Sequence, residues 1–138
     1  MADASTIQRA MIDSVAARDF VTLRALLHAD YTYTASDGHP QKGADAGVAV
    51  AEMYTSAFPD IELTVLNQWS PAPDTAIMEF RAHGTHTGAL GDIPPTGRTI
   101  EIIVCNIVET LDGQIIRERE YFDGVAILTQ LGVLPAAE

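Results

Sequence analysis

Gln114-Ile115-Ile116-Arg117-Glu118-Arg119-Glu120-Tyr121-Phe122-Asp123 is the stretch on which the reading of this chain turns. It follows a tight connection at Asp112-Gly113 and precedes a short apolar segment, Val125 to Leu131, that reads as a helix. Its composition is that of a strand, and side chains alternate faces along a strand. Alternation puts Ile116, Glu118, Glu120 and Phe122 on one face. It puts Ile115, Arg117, Arg119, Tyr121 and Asp123 on the other. If the even face looks into the core of a small domain, a carboxylate lies where water is scarce. Its pKa then rises toward neutrality.

Upstream, Arg98 to Thr110 and Thr75 to Thr87 read as long strands, and Ile61 to Leu66 alternates cleanly. Pro71-Ala72-Pro73-Asp74 turns the chain between them. Gly43 to Phe58 is an Ala-rich helix stopped by Pro59-Asp60. Tyr31-Thr32-Tyr33-Thr34 is a short strand, and Asp37-Gly38-His39-Pro40 is a turn. Helices are predicted over Ser5 to Ala17, capped by Asp3 or Ser5, and over Asp19 to His28. A tail from Leu134 to Glu138 ends the chain. Helices first and antiparallel strands afterwards predict an α+β fold. The element order suggests one strongly curved antiparallel sheet packed on three N-terminal helices, with a short C-terminal helix and an apolar pocket.

The 138 residues fit a single domain over 1–138, and 47% hydrophobic content supports a core or a lined cavity. Eight Lys and Arg face 19 Asp and Glu, giving a net charge of −11. That charge disfavours nucleic acid and strongly anionic substrates. No apolar run approaches the roughly 18 residues that span a bilayer. The first five residues do not resemble a secretory signal, so a cytoplasmic location is the expectation. A single cysteine, Cys105, excludes an internal disulfide and a Cys-rich metal site.

Several pieces, in order and spacing, resemble a known family. They are Ala57-Phe58-Pro59-Asp60, Gly84-Thr85-His86-Thr87-Gly88 and Gly91-Asp92-Ile93-Pro94-Pro95-Thr96-Gly97-Arg98. Asp112-Gly113-Gln114-Ile115, Arg119-Glu120-Tyr121-Phe122-Asp123 and Gln130-Leu131-Gly132 follow. Together they are similar to polyketide cyclases of the SnoaL type, within the nuclear-transport-factor-2-like superfamily. The resemblance implies a cone-shaped α+β barrel, a hydrophobic pocket, no metal or organic cofactor, and a homodimer. It implies an intramolecular aldol cyclisation run by an Asp on the last strand with a His on the strand before it. Those positions fall on Glu120 and Asn106, so the chain departs from the pattern at both.

The residues themselves fit proton transfer α to a carbonyl, which needs a base near working pH and a donor for the developing oxyanion. Glu120 is the candidate base. Asn106 is the candidate donor, a polar residue on a face otherwise made of Ile102, Val104 and Val108. Alternatively, Asn106 is buried and satisfied by backbone, and Glu120 is an outward charge. Glu118 is expected to pair with Arg81 or Arg98. Asp123 is expected to cap the last helix, with a second reading as the acid. Phe80, Met78, His86, Trp69, Met53 and Tyr33 are candidate lining residues for a hydrophobic small molecule. His83 and His86 fall on opposite strand faces and cannot share an ion without a bulge. Two other functions remain open. One is a binding module without chemistry. The other is a related isomerase, hydroxylase or epoxide hydrolase.

Overall fold

Residues 2–135 are described by a computed structural model. Helix α1 (Ala4–Ala16) turns Ile7, Gln8, Met11 and Ile12 inward, at the spacing of one helical face. Asp3 caps it by accepting the Thr6 N–H at 3.0 Å. Helix α2 (Phe20–Leu26) is capped the same way by Asp19. Strand β1 (Leu27–Thr34) follows directly, then the short β2 (Pro40–Lys42) and helix α3 (Ala44–Ala57). Four strands complete the sheet: β3 (Glu62–Ala72), β4 (Thr75–Thr85), β5 (Thr99–Leu111) and β6 (Gln114–Tyr121). Helix α4 (Gly124–Gln130) ends the fold, capped by Asp123 on the Ala126 N–H at 3.0 Å. The cap expected for Asp123 is therefore present. The tail expected at Leu134 to Glu138 falls partly outside the described residues, which stop at 135.

The six strands run in the order β2-β1-β6-β5-β4-β3. The fold is α+β, but the expected sheet needs three corrections. It is mixed, because β1 lies parallel to β6, with Tyr33 opposite Glu118. Consecutive strands joined by short turns must be antiparallel. β1 and β6 are far apart in sequence, so no hairpin fixes their direction. The sheet is also open: β2 and β3 are its edges and do not pair with each other, so it is not a closed barrel. Finally, the three N-terminal helices are not one uninterrupted group: β1, which contains the strand read at Tyr31 to Thr34, and the short β2 come before α3.

Two strand boundaries differ from expectation. β1 begins at Leu27, inside the segment read as helix, and β3 extends through Pro71 to Ala72. Proline is tolerated there because β3 is an edge strand.

Alternation along β6 is broken once. Glu109 pairs with Arg117 and Thr110 with Ile115, so Ile116 is an extra residue on β6. This bulge shifts the phase by one. Ile115 is fully buried instead of facing outward with Arg117, while Glu118 is 8% exposed on the inner face. On β4 and β5 the even residues point in, as expected: Ala76, Met78, Phe80 and Ala82 face the same core as Val104, Asn106 and Val108.

Helix α3 lies close to β1 because Gly47 has no side chain. A Cβ there would stand 2.7 Å from Tyr31 Cε1 and 2.8 Å from Leu27 Cδ1. Both neighbours are buried and have nowhere to move. Gly47→Ala is expected to destabilise the fold by about 1–3 kcal/mol through overpacking. Denaturant unfolding checks this, and an unchanged midpoint would show that α3 can lift without cost.

Candidate functional site

Between the inner face of the sheet and helices α1 to α3 lies a cavity of about 120 Å³. That is well above the ~10–15 Å³ that one water needs. Its wall is almost wholly apolar, with Met11, Leu23, Val50, Leu63, Phe80 and Ile102 among the contributors. The polar groups on it are Tyr31, Tyr33, Tyr54, Thr55, Glu118 and Glu120, and no Lys, Arg or His reaches it among the described residues.

The two glutamates are neighbours on one face of β6, and a buried amide joins them. Asn106 sits opposite Glu120 across the β5–β6 pair, with Glu118 on the diagonal. Its Nδ2 donates to Glu118 Oε2 at 2.7 Å and to Glu120 Oε2 at 3.1 Å. Both amide hydrogens are thereby used. Its Oδ1 accepts from Gln8 Nε2 at 2.9 Å, which fixes the amide the right way round. Gln8 also donates to the Asn106 carbonyl at 3.0 Å and accepts from Gln68 Nε2 at 3.0 Å. The remaining glutamate oxygens face β1. Tyr31 donates its hydroxyl to Glu118 Oε1, and Tyr33 donates to Glu120 Oε1 at 2.8 Å.

Burial makes the charged forms of these groups costly, and the costs differ. Desolvation first, and then the charge of Glu120, push the Glu118 carboxyl up to about 7 against an ordinary 4.5, although the Tyr31 and Asn106 hydrogen bonds oppose the shift. Desolvation also raises Glu120, against the hydrogen bonds from Tyr33 and Asn106. Glu118 is the more enclosed of the two and Glu120 is half-buried. Near neutrality two such carboxylates resist ionising together and titrate as a pair. Desolvation, helped by the nearby glutamates, pushes the Tyr31 and Tyr33 phenols far above their ordinary range, so both remain donors.

The candidate residues separate clearly. Glu120, Tyr33 and Phe80 line the cavity. Asn106 lies just behind it, fully buried, and its N–H groups are taken up by the carboxylates. Glu118 is not an ion-pair partner: Arg81 pairs with Glu101 at 3.3 Å on the outer face, and Arg98 packs against Gly132. Met78 is fully buried core beside Asn106 rather than wall. Met53 is 40% exposed, because Gly47, Val50, Ala51 and Tyr54 form the inner side of α3. Trp69 is 50% exposed, since an extra residue at Leu66 turns it to the outer face. His86 is buried off the cavity wall. Its Nδ1 accepts the Thr96 N–H at 3.2 Å, and its ring lies on Phe58 with centroids 5.3 Å apart. It therefore holds the base of the 87–98 loop.

Gln8, Tyr31 and Tyr54 were not among the expected site residues. Gln8 carried a signal: it is a polar residue at an inward position of α1. Tyr31 carried another, sharing a strand face with Tyr33.

A family model described as "SnoaL-like polyketide cyclase" matches residues 5–131. Solved structures share the fold. A candidate hydroxylase, AclR from Streptomyces galilaeus, superposes with a TM-score of 0.84 at 20% identity, covering 96% of this chain and 83% of that one. A candidate polyketide cyclase, IdmH from Streptomyces antibioticus, gives 0.79 at 26% identity, covering 93% and 97%. An LEH-like epoxide hydrolase from M. tuberculosis gives 0.72 at 18%, covering 94% and 90%. No curated protein matches the chain.

The raised carboxyl predicts how stability depends on pH. The native state binds a proton that the unfolded chain has released, between about 4.5 and about 7. The stability contributed by the protonated form is complete below that window and is lost as pH rises through it. Glu118→Gln keeps the shape and removes the titration. It is expected to match the parent at pH 5 and to exceed it by on the order of 1–3 kcal/mol at pH 8. Denaturant midpoints at the two pH values measure this. A variant weaker than the parent at pH 8 would contradict it.

Proposed function

The chain belongs to the SnoaL-like polyketide cyclase family, and we propose that its paired-glutamate site is a cofactor-independent acid/base centre for a neutral, apolar carbonyl compound in the cytoplasm. The observation that supports this reading most is the unequal pair at the cavity floor. Both line the cavity and burial raises both, but Glu118 is the more enclosed and is pushed up to about 7 by the charge of Glu120 as well, while Glu120 is half-buried. Environments that drive two carboxyls apart separate their roles. Glu118 holds the shared proton, and Glu120 stays ionised as the base. Each carboxylate oxygen has two lone pairs, so the Tyr33 and Asn106 bonds leave Glu120 able to accept a proton.

The α C–H bond of the ligand breaks, and its proton passes to Glu120. The electron pair forms the enolate double bond and leaves the charge on the carbonyl oxygen. In an aldol-type closure, that carbon attacks a second carbonyl of the same molecule, and the new alkoxide takes the proton back from Glu120. In an isomerisation, the proton returns to another carbon. Asn106 serves as the clamp that holds both carboxylates in register.

A cavity wall without cations favours an uncharged ligand, because a buried anion without a counter-charge is costly. A simple ketone therefore serves as a probe. The protein is expected to speed α-hydrogen exchange of 2-tetralone in D2O, with a rate limb near neutral pH. Glu120→Gln is expected to slow it by about 10²–10⁴-fold with the fold intact. NMR follows the exchange. If the ketone binds without acceleration, the site is a non-catalytic binding pocket.

The outer face of the sheet supports a homodimer. Ile103 is 54% exposed, Tyr121 48% and Trp69 50%, each on that outer face. Apolar residues gathered on one face mark association surfaces. Sedimentation is expected to give two copies for the parent and one for Ile103→Asp. A parent that sediments as a single copy would refute the dimer.

A further inference from the structure

Apart from the proton that Glu118 holds, every hydrogen-bond donor on the cavity wall is occupied except one. Tyr31 gives its hydroxyl to Glu118 and Tyr33 gives its own to Glu120. Thr55 donates back into its own helix, to the Ala51 carbonyl at 2.8 Å. Asn106, expected as the oxyanion donor because it is polar on an otherwise apolar strand face, spends both N–H groups on the carboxylates. Tyr54 is different. It stands on the inner side of α3, half-buried and on the wall, and its hydroxyl makes no hydrogen bond among the described residues. Nor is that oxygen sealed in: among the described residues, His86 Nε2 is the one enclosed side-chain polar atom left without a partner.

A phenol in an apolar wall that bonds to none of the described residues and is not shut away is placed to bond with a ligand. Burial and then the charge of Glu120 push its titration up, which keeps it a donor, and Glu120 lines the same cavity.

We propose that the Tyr54 hydroxyl is the oxyanion donor of this site, binding the ketone or ester oxygen of a ligand whose α-hydrogen lies against Glu120. This rests on the acid/base reading above and assigns the second group that such chemistry requires. When the α C–H bond breaks, the proton moves to Glu120 and negative charge gathers on the ligand oxygen. Tyr54 donates a hydrogen bond to that oxygen and keeps its own proton. The bond strengthens as the charge grows, so it favours the transition state over the bound ketone. Tyr54 lies on a helix and Glu120 on the sheet, so the ligand is gripped across the cavity, with its reacting carbon and its oxygen toward opposite walls.

The test uses 2-tetralone with the full chain and reads two signals, the infrared carbonyl stretch of the bound ketone and its α-hydrogen exchange in D2O. In the parent, the stretch is expected to shift to lower frequency, as a hydrogen-bonded carbonyl does. Tyr54→Phe, which removes one oxygen, is expected to abolish that shift and slow exchange about 100-fold without moving the pH profile. Glu120→Gln is expected to slow exchange by about 10²–10⁴-fold and keep the shift. A Tyr54→Phe protein with both the parental shift and the parental exchange rate overturns the assignment and leaves the role of Glu120 standing. Loss of exchange in neither variant overturns both readings, as does a parent that neither binds nor exchanges the ketone.

Discussion

One amide group between two carboxylates is the constraint on which this site depends. Glu118 and Glu120 lie two residues apart on the same strand face, and the Asn106 Nδ2 bonds to both. Two like charges so close and so dry would repel strongly. A single donor shared between them lowers that cost without neutralising it, and the remaining strain is relieved by retaining a proton. The arrangement requires the Asn106 amide to point one way only. Gln8 enforces this from the opposite side by donating to Asn106 Oδ1, and Gln68 orients Gln8 in turn. A chain of side-chain amides running from the edge strand through helix α1 thus sets the geometry of the acid pair.

The parallel pairing of β1 with β6 supplies the other half. It brings Tyr31 and Tyr33 beside the glutamates although 87 residues separate each bonded pair. Both phenols remain donors because burial and the neighbouring carboxylates prevent them from ionising. Gly47 matters here for what it lacks. Helix α3 can press against Tyr31 and still leave open space above the carboxylates. The site is therefore a polar floor under an apolar vault, and among the described residues its electrostatics come from the exclusion of water rather than from a Lys, Arg or His on the wall.

Much of this was legible in residue order. The even faces of β4 and β5 point inward as alternation requires, and Asn106 stands out there as a polar residue among Val104 and Val108. The carboxylate at 120 reached the wall of the cavity, and Asp123 took the helix cap. Other assignments failed for local physical reasons. One extra residue at Ile116 inverted the placement of Ile115, and another at Leu66 sent Trp69 outward. Met53 missed the cavity because α3 presents its Gly47–Tyr54 side. Glu118 was expected to pair with Arg81 or Arg98, but it faces the cavity while Arg81 pairs with Glu101 on the outer face. Arg117 and Arg119 instead meet Glu109 on the opposite face.

By itself, then, the sequence determined the α+β class, the β5–β6 hairpin through Asp112-Gly113 and the inward faces of β4 and β5, since all of these are written in local periodicity and turn chemistry, and its motifs carried the resemblance to the family. Only the tertiary structure decided that β1 runs parallel to β6, that the sheet stays open, and that Tyr31, Tyr33 and Gln8 converge on the two glutamates. Those outcomes depend on contacts between residues up to 98 positions apart, and on single-residue bulges whose effect on side-chain direction appears only once the partner strand is in place.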